Sequence, residues 1–127
     1  MTKRRVVVTG IGAVSPLGNT IEDTWAAIKA GKSGVGPLTR VDAEKFSAKV
    51  AAEVKDFDIE QYVERKEARK MDRFTQYALA AALMAHKDSG LEVNESNAES
   101  VGVWIGSGIG GMEKYEQKIL TYQERGA

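Results

Sequence analysis

The sequence predicts an α/β fold, and three observations lead to it. Two apolar runs, Val6–Thr9 and Val101–Ile105, show no regular polar alternation, which is typical of strands buried on both faces of a parallel sheet. Segments with helical periodicity lie between and after these runs. A glycine-rich loop follows each run, and α/β proteins usually bind ligands at such strand ends. The order strand, helix, weak strand, helix, strand, helix therefore indicates the α/β class.

The first helix is predicted to begin after Thr20. Thr20 and Asp23 have the spacing of a capping box, with Asp in place of the usual Glu. Gly31 is expected to end the helix at its C′ position. The residues that share its apolar face are Ile21, Trp25 and Ile28.

The middle of the chain contains the strongest helix signal. Residues 32–37 are predicted to form a glycine-rich loop, residues 47–54 an edge or hairpin strand, and residues 58–62 a short helical turn. A long helix is predicted from Glu67 to Ser89, with Gly90 at its end, and its many alanines indicate close packing on more than one side. The residues that line one side are Met71, Phe74, Ala78, Ala81 and Ala85.

The last part of the chain indicates an incomplete domain. After a loop over residues 95–100 come the second apolar run, a glycine loop and a charged helix predicted over Met112–Gln123. Both strong strands need more neighbouring sheet than this chain supplies, and residues 124–127 resemble a turn that closes no element. We therefore expect residues 1–127 to be a fragment that is incomplete as an independent fold.

Composition excludes several classes of function. Eighteen basic and eighteen acidic side chains balance, so charge gives no argument for nucleic acid or a membrane surface as a partner. No apolar run is long enough to span a bilayer or to serve as a secretory signal, so a cytoplasmic protein is expected. The absence of cysteine excludes disulfides and cysteine-ligated zinc. The single histidine, His86, allows neither a Ser–His–Asp triad nor a histidine-pair metal site without another chain, and no metal site is predicted.

The glycine loop is the most informative feature of the chain. Four of the six residues 106–111 are glycine, and Gly106, Gly108 and Gly111 match G-x-G-x-x-G. A dinucleotide site would also need an acid about twenty residues further on, past Ala127, and would normally lie at a domain's first strand. The glycines could otherwise simply permit a tight turn. They are also suited to hold one bulky side chain, Ile109, on a movable backbone, as the wall of an apolar pocket.

Three segments together resemble a known family. KRRVVVTGIGAVSPLGNTIEDTW, RKEARKMDRFTQYALAAA and GSGIGG are similar to the N-terminal part of bacterial β-ketoacyl-acyl-carrier-protein synthases of the second type, the condensing enzymes of fatty acid elongation. The resemblance covers essentially the whole chain. It implies part of a thiolase-like fold of α-β-α-β-α layers, a cytoplasmic homodimer and no cofactor. The reaction it implies is a decarboxylative Claisen condensation of an acyl chain with malonyl-acyl carrier protein.

The resemblance assigns supporting roles to residues of this chain. The reactive cysteine and two histidines of the family lie beyond Ala127, so no catalytic residue is expected here and the chain alone is expected to be inactive. Ile109, with Gly108, matches the side chain that gates the acyl pocket. The family's docking site for acyl carrier protein, in its acyl and malonyl forms, is matched by Lys66, Arg69 and Lys70.

Alternatives to these roles remain open. The three cations could form a solvated helix face balanced by Glu64 and Glu67, and Ile109 could be ordinary core. The chain could instead be a non-catalytic module that binds a carrier protein, or a nucleotide-binding oxidoreductase built on residues 106–111. No role is assigned to His86 or Ser107, and the tryptophans Trp25 and Trp104 are expected in core or interface packing.

Overall fold

A computed structural model describes residues 3–126. The first two residues of the basic start and the last residue of the predicted C-terminal turn lie outside this range. The chain divides into two compact units: residues up to 58 together with 80–91, and residues 59–79 together with those from 92 onward.

Helix α1 of the first unit, Ile21–Lys29, begins and ends where the sequence predicts. Thr20 Oγ1 accepts a hydrogen bond from the Asp23 backbone N–H at 3.1 Å, and the Thr20 hydroxyl donates to the Asp23 carboxylate at 2.9 Å. Gly31 has φ +63°, which confirms the predicted left-handed stop. Trp25 is 56% exposed, so of the expected core or interface packing the core part is wrong in the described part of the chain, and interface packing stays a prediction.

A two-stranded antiparallel hairpin follows α1. Strand β1, Val35–Pro37, pairs with β2, Val50–Ala52, and Pro37 lies opposite Val50. The predicted weak strand is confirmed as half of this hairpin. The predicted loop over residues 32–37 is wrong in its second half, because a short edge strand tolerates a proline that cannot donate a ladder hydrogen bond.

Glu53 connects the two sides of the hairpin just beyond its strands. Its carboxylate accepts hydrogen bonds from the Thr39 backbone N–H at 3.1 Å and the Arg40 backbone N–H at 3.2 Å, and also from the Thr39 hydroxyl. The hydroxyl contributes most to lowering the pKa of Glu53, and the two backbone donors act in the same direction. The hairpin therefore contains a carboxylate that is stabilised in its charged form.

The N-terminal segment crosses the second half of helix α3, Arg73–Ser89. A Cβ added to Gly10 would collide with the Ala85 carbonyl oxygen, and one added to Gly12 would collide with that of Ala81. The Ile11 N–H also donates to the Asp88 carboxylate at 2.8 Å. Backbone therefore packs directly on backbone, and the close packing expected of the alanine-rich helix is confirmed on this side.

Neither apolar run forms a strand within residues 3–126. Val6–Thr9 and Val101–Ile105 make no ladder there, and Val6 and Trp104 are 88% and 98% exposed. The prediction of two buried strands is therefore wrong for the described residues. Core packing is likewise excluded there for Trp104, and its packing at an interface stays a prediction. A strand requires a hydrogen-bonded neighbour as well as an apolar sequence, and the described part of the chain provides none for these runs.

The second unit contains the start of the predicted long helix as two pieces. A 3₁₀ turn at Ile59–Gln61 confirms the predicted helical turn, and α2 covers only Arg65–Ala68 before α3 begins at Arg73. The prediction of one continuous helix from Glu67 is wrong. The Gln76 side-chain amide donates to the Ala68 carbonyl at 3.0 Å, the acceptor that residue 72 would use in a continuous α-helix.

Helix α4, Met112–Arg125, confirms the predicted charged helix and extends it by two residues. The turn predicted over residues 124–127 is therefore wrong at Glu124 and Arg125, since the helix continues through both. Gly111 precedes it with φ +78°, a left-handed conformation that strongly favours glycine. None of the helices within residues 3–126 is both long enough and apolar enough to cross a membrane.

Candidate functional site

The glycine loop between Ile105 and α4 has an open half. A Cβ added to Gly106 or Gly108 would meet no atom within 4 Å. Ile109 is 81% exposed, so the alternative that it is ordinary core is not supported in the described part of the chain. This half of the loop gives the Ile109 side chain room to change position.

The other half of the loop lies against the start of α3. A Cβ added to Gly110 would lie 2.6 Å from the Phe74 ring, and one added to Gly111 would lie 2.8 Å from the Asp72 carboxylate. Such distances leave no room for a side chain at either position. The loop is thus closely packed after Ile109 and open before it.

Two ion pairs connect the first turn of α4 to the residues around the start of α3. The Lys114 ammonium lies 3.7 Å from Asp72 Oδ1, and the Arg73 Nε lies 3.4 Å from Glu113 Oε2. Lys114 Nζ also donates to the Arg69 carbonyl at 3.4 Å. We call these four side chains the clamp: Asp72, Arg73, Glu113 and Lys114.

Arg73 is held firmly in its charged form. A hydrogen bond to the Tyr77 side chain is the largest influence raising the pKa of Arg73, and the hydrogen bond and charge of Glu113 add to it against the effect of partial burial. The Arg73 guanidinium is therefore positively charged throughout the neutral pH range.

An apolar cavity of about 490 Å³ lies beside the loop within the second unit. Phe74 and Ala78 line one side, and Ile105, Gly106 and Ser107 line another. Neither Gly108 nor Ile109 is among the lining residues. The structure thus brings residues that neighbour the predicted gate to an apolar cavity and leaves the gate residue itself exposed beside the loop.

The three predicted docking cations lie on and just after α2. Lys66 is within the helix, Arg69 is its C-cap and Lys70 follows, so the structure brings them together without a continuous helix. All three are exposed. The Lys70 ammonium lies 2.6 Å from Glu67 Oε1, as the balanced-face alternative expects for one of the three charges.

The remaining polar candidates show no catalytic constellation. His86 is exposed near the end of α3, and Ser107 is exposed in the loop. Within residues 3–126 no group of three or more His, Cys, Asp or Glu side chains could hold a metal ion.

Sequence reasoning missed the clamp and the aromatic contact to Gly110. Phe74 was identified only as part of an apolar helix face, and Asp72 and Lys114 were not identified at all. Asp72 and Lys114 carry opposite charges, but 42 positions separate them, and no helix or strand periodicity relates residues so far apart. A helix start directly after the glycine loop was the only local signal that its first turn could contact another element.

The chain is similar to one known protein family along nearly its whole length. Residues 3–127 match the family model described as the N-terminal domain of β-ketoacyl synthase. A 3-oxoacyl-(acyl-carrier-protein) synthase 2 of Vibrio cholerae is 54% identical over 126 residues, and one of Coxiella burnetii is 56% identical over 124 residues. These alignments cover 99% and 95% of this chain. The chain spans about 30% of the length of these curated relatives.

Two solved structures have a similar fold. A structure described as a type II PKS acyl-carrier protein in complex with its ketosynthase aligns with TM-score 0.71 and 26% identity, covering 98% of this chain and 32% of that one. The ishigamide ketosynthase/chain length factor aligns with TM-score 0.65 and 43% identity over 72% of this chain and 23% of that one. The α/β class and the partial thiolase-like fold expected from the resemblance are confirmed.

Proposed function

The chain belongs to the β-ketoacyl synthase family, and from this premise we propose that it is the N-terminal segment of a 3-oxoacyl-(acyl-carrier-protein) synthase of the second type. The whole protein would elongate fatty acids by decarboxylative Claisen condensation of an acyl chain with malonyl-acyl carrier protein. Sequence identity of 54–56% to curated synthases supports this proposal. We also infer that the whole protein is cytoplasmic and a homodimer, and sedimentation of the whole protein would test the dimer.

The chemistry divides naturally between this segment and the rest of such a protein. A condensation needs a thiolate to carry the acyl chain and groups that stabilise the developing enolate oxygen. This chain has no cysteine and one exposed histidine, His86. We therefore assign it two supporting tasks, selection of the acyl chain and docking of the carrier protein.

Ile109 is proposed to gate the acyl pocket. The observation that carries this role is an aliphatic side chain, 81% exposed, on a backbone with open space at Gly106 and Gly108. By changing position, such a side chain can either close an apolar channel or admit a growing chain. Its size then limits the length of acyl chain that is accepted.

Exchange of Ile109 for phenylalanine tests the gate in the whole enzyme. For Ile109→Phe, we expect kcat/KM for long acyl carriers to fall about tenfold, equivalent to about 1.4 kcal/mol, while short acyl carriers react nearly as before. Ile119→Phe, at an exposed position on α4, is the matched control. An unchanged chain-length profile in Ile109→Phe would remove the gating role.

Lys66, Arg69 and Lys70 are proposed to dock acyl carrier protein. Exposed clustered cations suit an acidic partner and act mainly by steering and orienting it. The similarity to a ketosynthase whose structure was solved with an acyl-carrier protein supports this assignment. Arg69 is the most informative position, since Lys70 is already paired with Glu67.

Charge reversal tests the docking site. We expect Arg69→Glu to weaken binding of acyl carrier protein to the whole enzyme about fivefold or more at low salt, with a smaller effect at high salt because the charges are screened. Lys87→Glu, an exposed cation on α3, is the control. Equal affinities of the two variants, measured by titration at two salt concentrations, would contradict the docking role.

A further inference from the structure

The clamp residue Lys114 contacts the backbone of the proposed docking site directly. Its Nζ donates to the carbonyl of Arg69 at 3.4 Å and lies 3.7 Å from the Asp72 carboxylate. Arg69 and Asp72 are the first and last residues of the four-residue turn between α2 and α3. One side chain on α4 therefore contacts both ends of the turn that carries Arg69 and Lys70.

The same residue is close to the proposed gate along the chain. Lys114 lies in the first turn of α4, three positions after Gly111 and five after Ile109. Gly111 is in the left-handed conformation and faces the Asp72 carboxylate, and Gly110 faces the Phe74 ring. A displacement of the turn over residues 69–72 would thus move Gly110 and Gly111, the closely packed half of the loop, which we call its anchored half. The open half carries Ile109.

We propose that Lys114 is a positioning residue that couples carrier docking at Arg69 to the conformation of the Ile109 loop. When an acidic carrier binds the Arg69 side chain, the turn moves and Lys114 transmits this movement to the start of α4. The inference rests on the proposed function, because it needs Arg69 to dock a carrier and Ile109 to gate an acyl pocket. It adds a physical connection between those two sites.

The strength of the contacts is suited to coupling. Asp72 is only 19% exposed and Lys114 37% exposed, so this pair is less screened by solvent than the Arg73–Glu113 pair, whose members are 51% and 59% exposed. Pairs of this kind change an equilibrium by up to about fivefold. Such a contact is strong enough to favour one conformation of the Ile109 loop and weak enough to rearrange each time the carrier binds.

The clamp itself provides the matched control. Arg73–Glu113 also joins α4 to α3, but the hydrogen bond and ion pair of Glu113 in the described part of the chain go to Arg73 and not to the turn over residues 69–72. Removing the charge of Glu113 weakens the attachment of α4 without removing the contact to the Arg69 carbonyl. Lys114→Met and Glu113→Gln thus separate coupling from general support of the helix.

The experiment is amide hydrogen exchange of the whole enzyme with and without saturating acyl carrier protein. In the unaltered enzyme, carrier binding is expected to slow exchange at residues 69–72 and to change exchange at residues 108–111. Lys114→Met is expected to keep the first effect and reduce the second about fivefold. Lys114→Arg should restore the loop response, and Glu113→Gln should leave it intact. Asp72→Asn is the second variant if Lys114→Met does not fold.

The outcomes separate this inference from the function on which it rests. Absence of protection at residues 69–72 in the unaltered enzyme would contradict the docking role, and the coupling with it. Protection there with no loop response, or with the same response in Lys114→Met, would overturn the coupling alone. An equal loss of response in Glu113→Gln and Lys114→Met would also overturn it, because the clamp would then only support the helix.

Discussion

Gly106 and Gly111 belong to the same loop, but the structure places different demands on them. Gly106 has open space where a side chain would be, whereas Gly111 combines φ +78° with an Asp72 carboxylate that would lie 2.8 Å from an added Cβ. A residue with a Cβ is strained in the left-handed region, and here it would also displace Asp72. Glycine is thus required at position 111, whereas a side chain would fit at position 106.

This difference predicts the effect of single alanine substitutions. Gly111→Ala should lower the free energy of unfolding by about 1–3 kcal/mol, while Gly106→Ala should change it by less than about 0.5 kcal/mol. Urea unfolding of the whole protein measures both values. Equal destabilisation by the two substitutions would mean that the anchored end is not constrained as described.

At the scale of elements, the β1–β2 hairpin is linked to pH through Glu53. Hydrogen bonds from Thr39 and Arg40 lower the pKa of Glu53 in the folded chain. For a carboxylate with a lowered folded pKa, the stabilisation is complete above the pKa of the unfolded chain and is lost as pH falls through the lowered value. The hairpin should therefore loosen only under acidic conditions.

The Thr39 hydroxyl provides the test of this link. We expect Thr39→Val to raise the pKa of Glu53 towards the ordinary value for glutamate, since the largest cause of the shift is removed. Carbon-detected NMR titration of the Glu53 carboxyl follows the change, with Thr121→Val on α4 as the control. A Glu53 titration that does not move in Thr39→Val would contradict the assignment.

Elements governed by local chemistry were predictable from the sequence. The Thr20 cap, the Gly31 stop and the start of α4 after Gly111 each depend on neighbours within a few positions. The break between α2 and α3 is not predictable from residues 69–72, which contain neither Gly nor Pro. The Ala68 carbonyl there accepts hydrogen bonds from the Met71 backbone N–H and from the side chain of the more distant Gln76. The two apolar runs are predicted as strands but form none, because a strand needs a hydrogen-bonded neighbour and that neighbour lies far away in the sequence.

At the scale of the whole molecule, the two apolar runs leave large hydrophobic side chains in solvent. Val7 is 67% exposed, and Val103 is 83% exposed. Contiguous exposed apolar surface of this kind promotes association, whereas a single exposed valine such as Val41 is normal. The runs should therefore dominate the solution behaviour of the 127-residue chain.

Isosteric substitutions test this expectation. We expect Val7→Thr and Val103→Thr each to lower binding of the dye ANS and to slow aggregation of the 127-residue chain, because each places a hydroxyl in an exposed apolar run. Val41→Thr, at a valine that is 48% exposed, should have little effect. Identical dye binding by all three variants, measured by fluorescence, would show that the two apolar runs are not the surface through which the chain associates.

The candidate site was predictable only where one segment carries it. The glycine loop and its single bulky side chain, Ile109, are visible in six consecutive letters, and the docking cations fall within five. The clamp joins residues 42 positions apart, and Phe74 contacts Gly110 across 36. Such contacts arise from tertiary packing, which residue spacing alone does not encode.

The crossing of Gly10 and Gly12 over α3 has a consequence for biosynthesis. The Ile11–Asp88 hydrogen bond joins residues 77 positions apart. At a ribosomal rate of about 5–20 residues per second, the amino end of the nascent chain waits roughly 4–15 s before its partner helix is even translated. Throughout that interval Gly10 and Gly12 lack the helix backbone on which they pack, so this crossing forms only late in the synthesis of these residues.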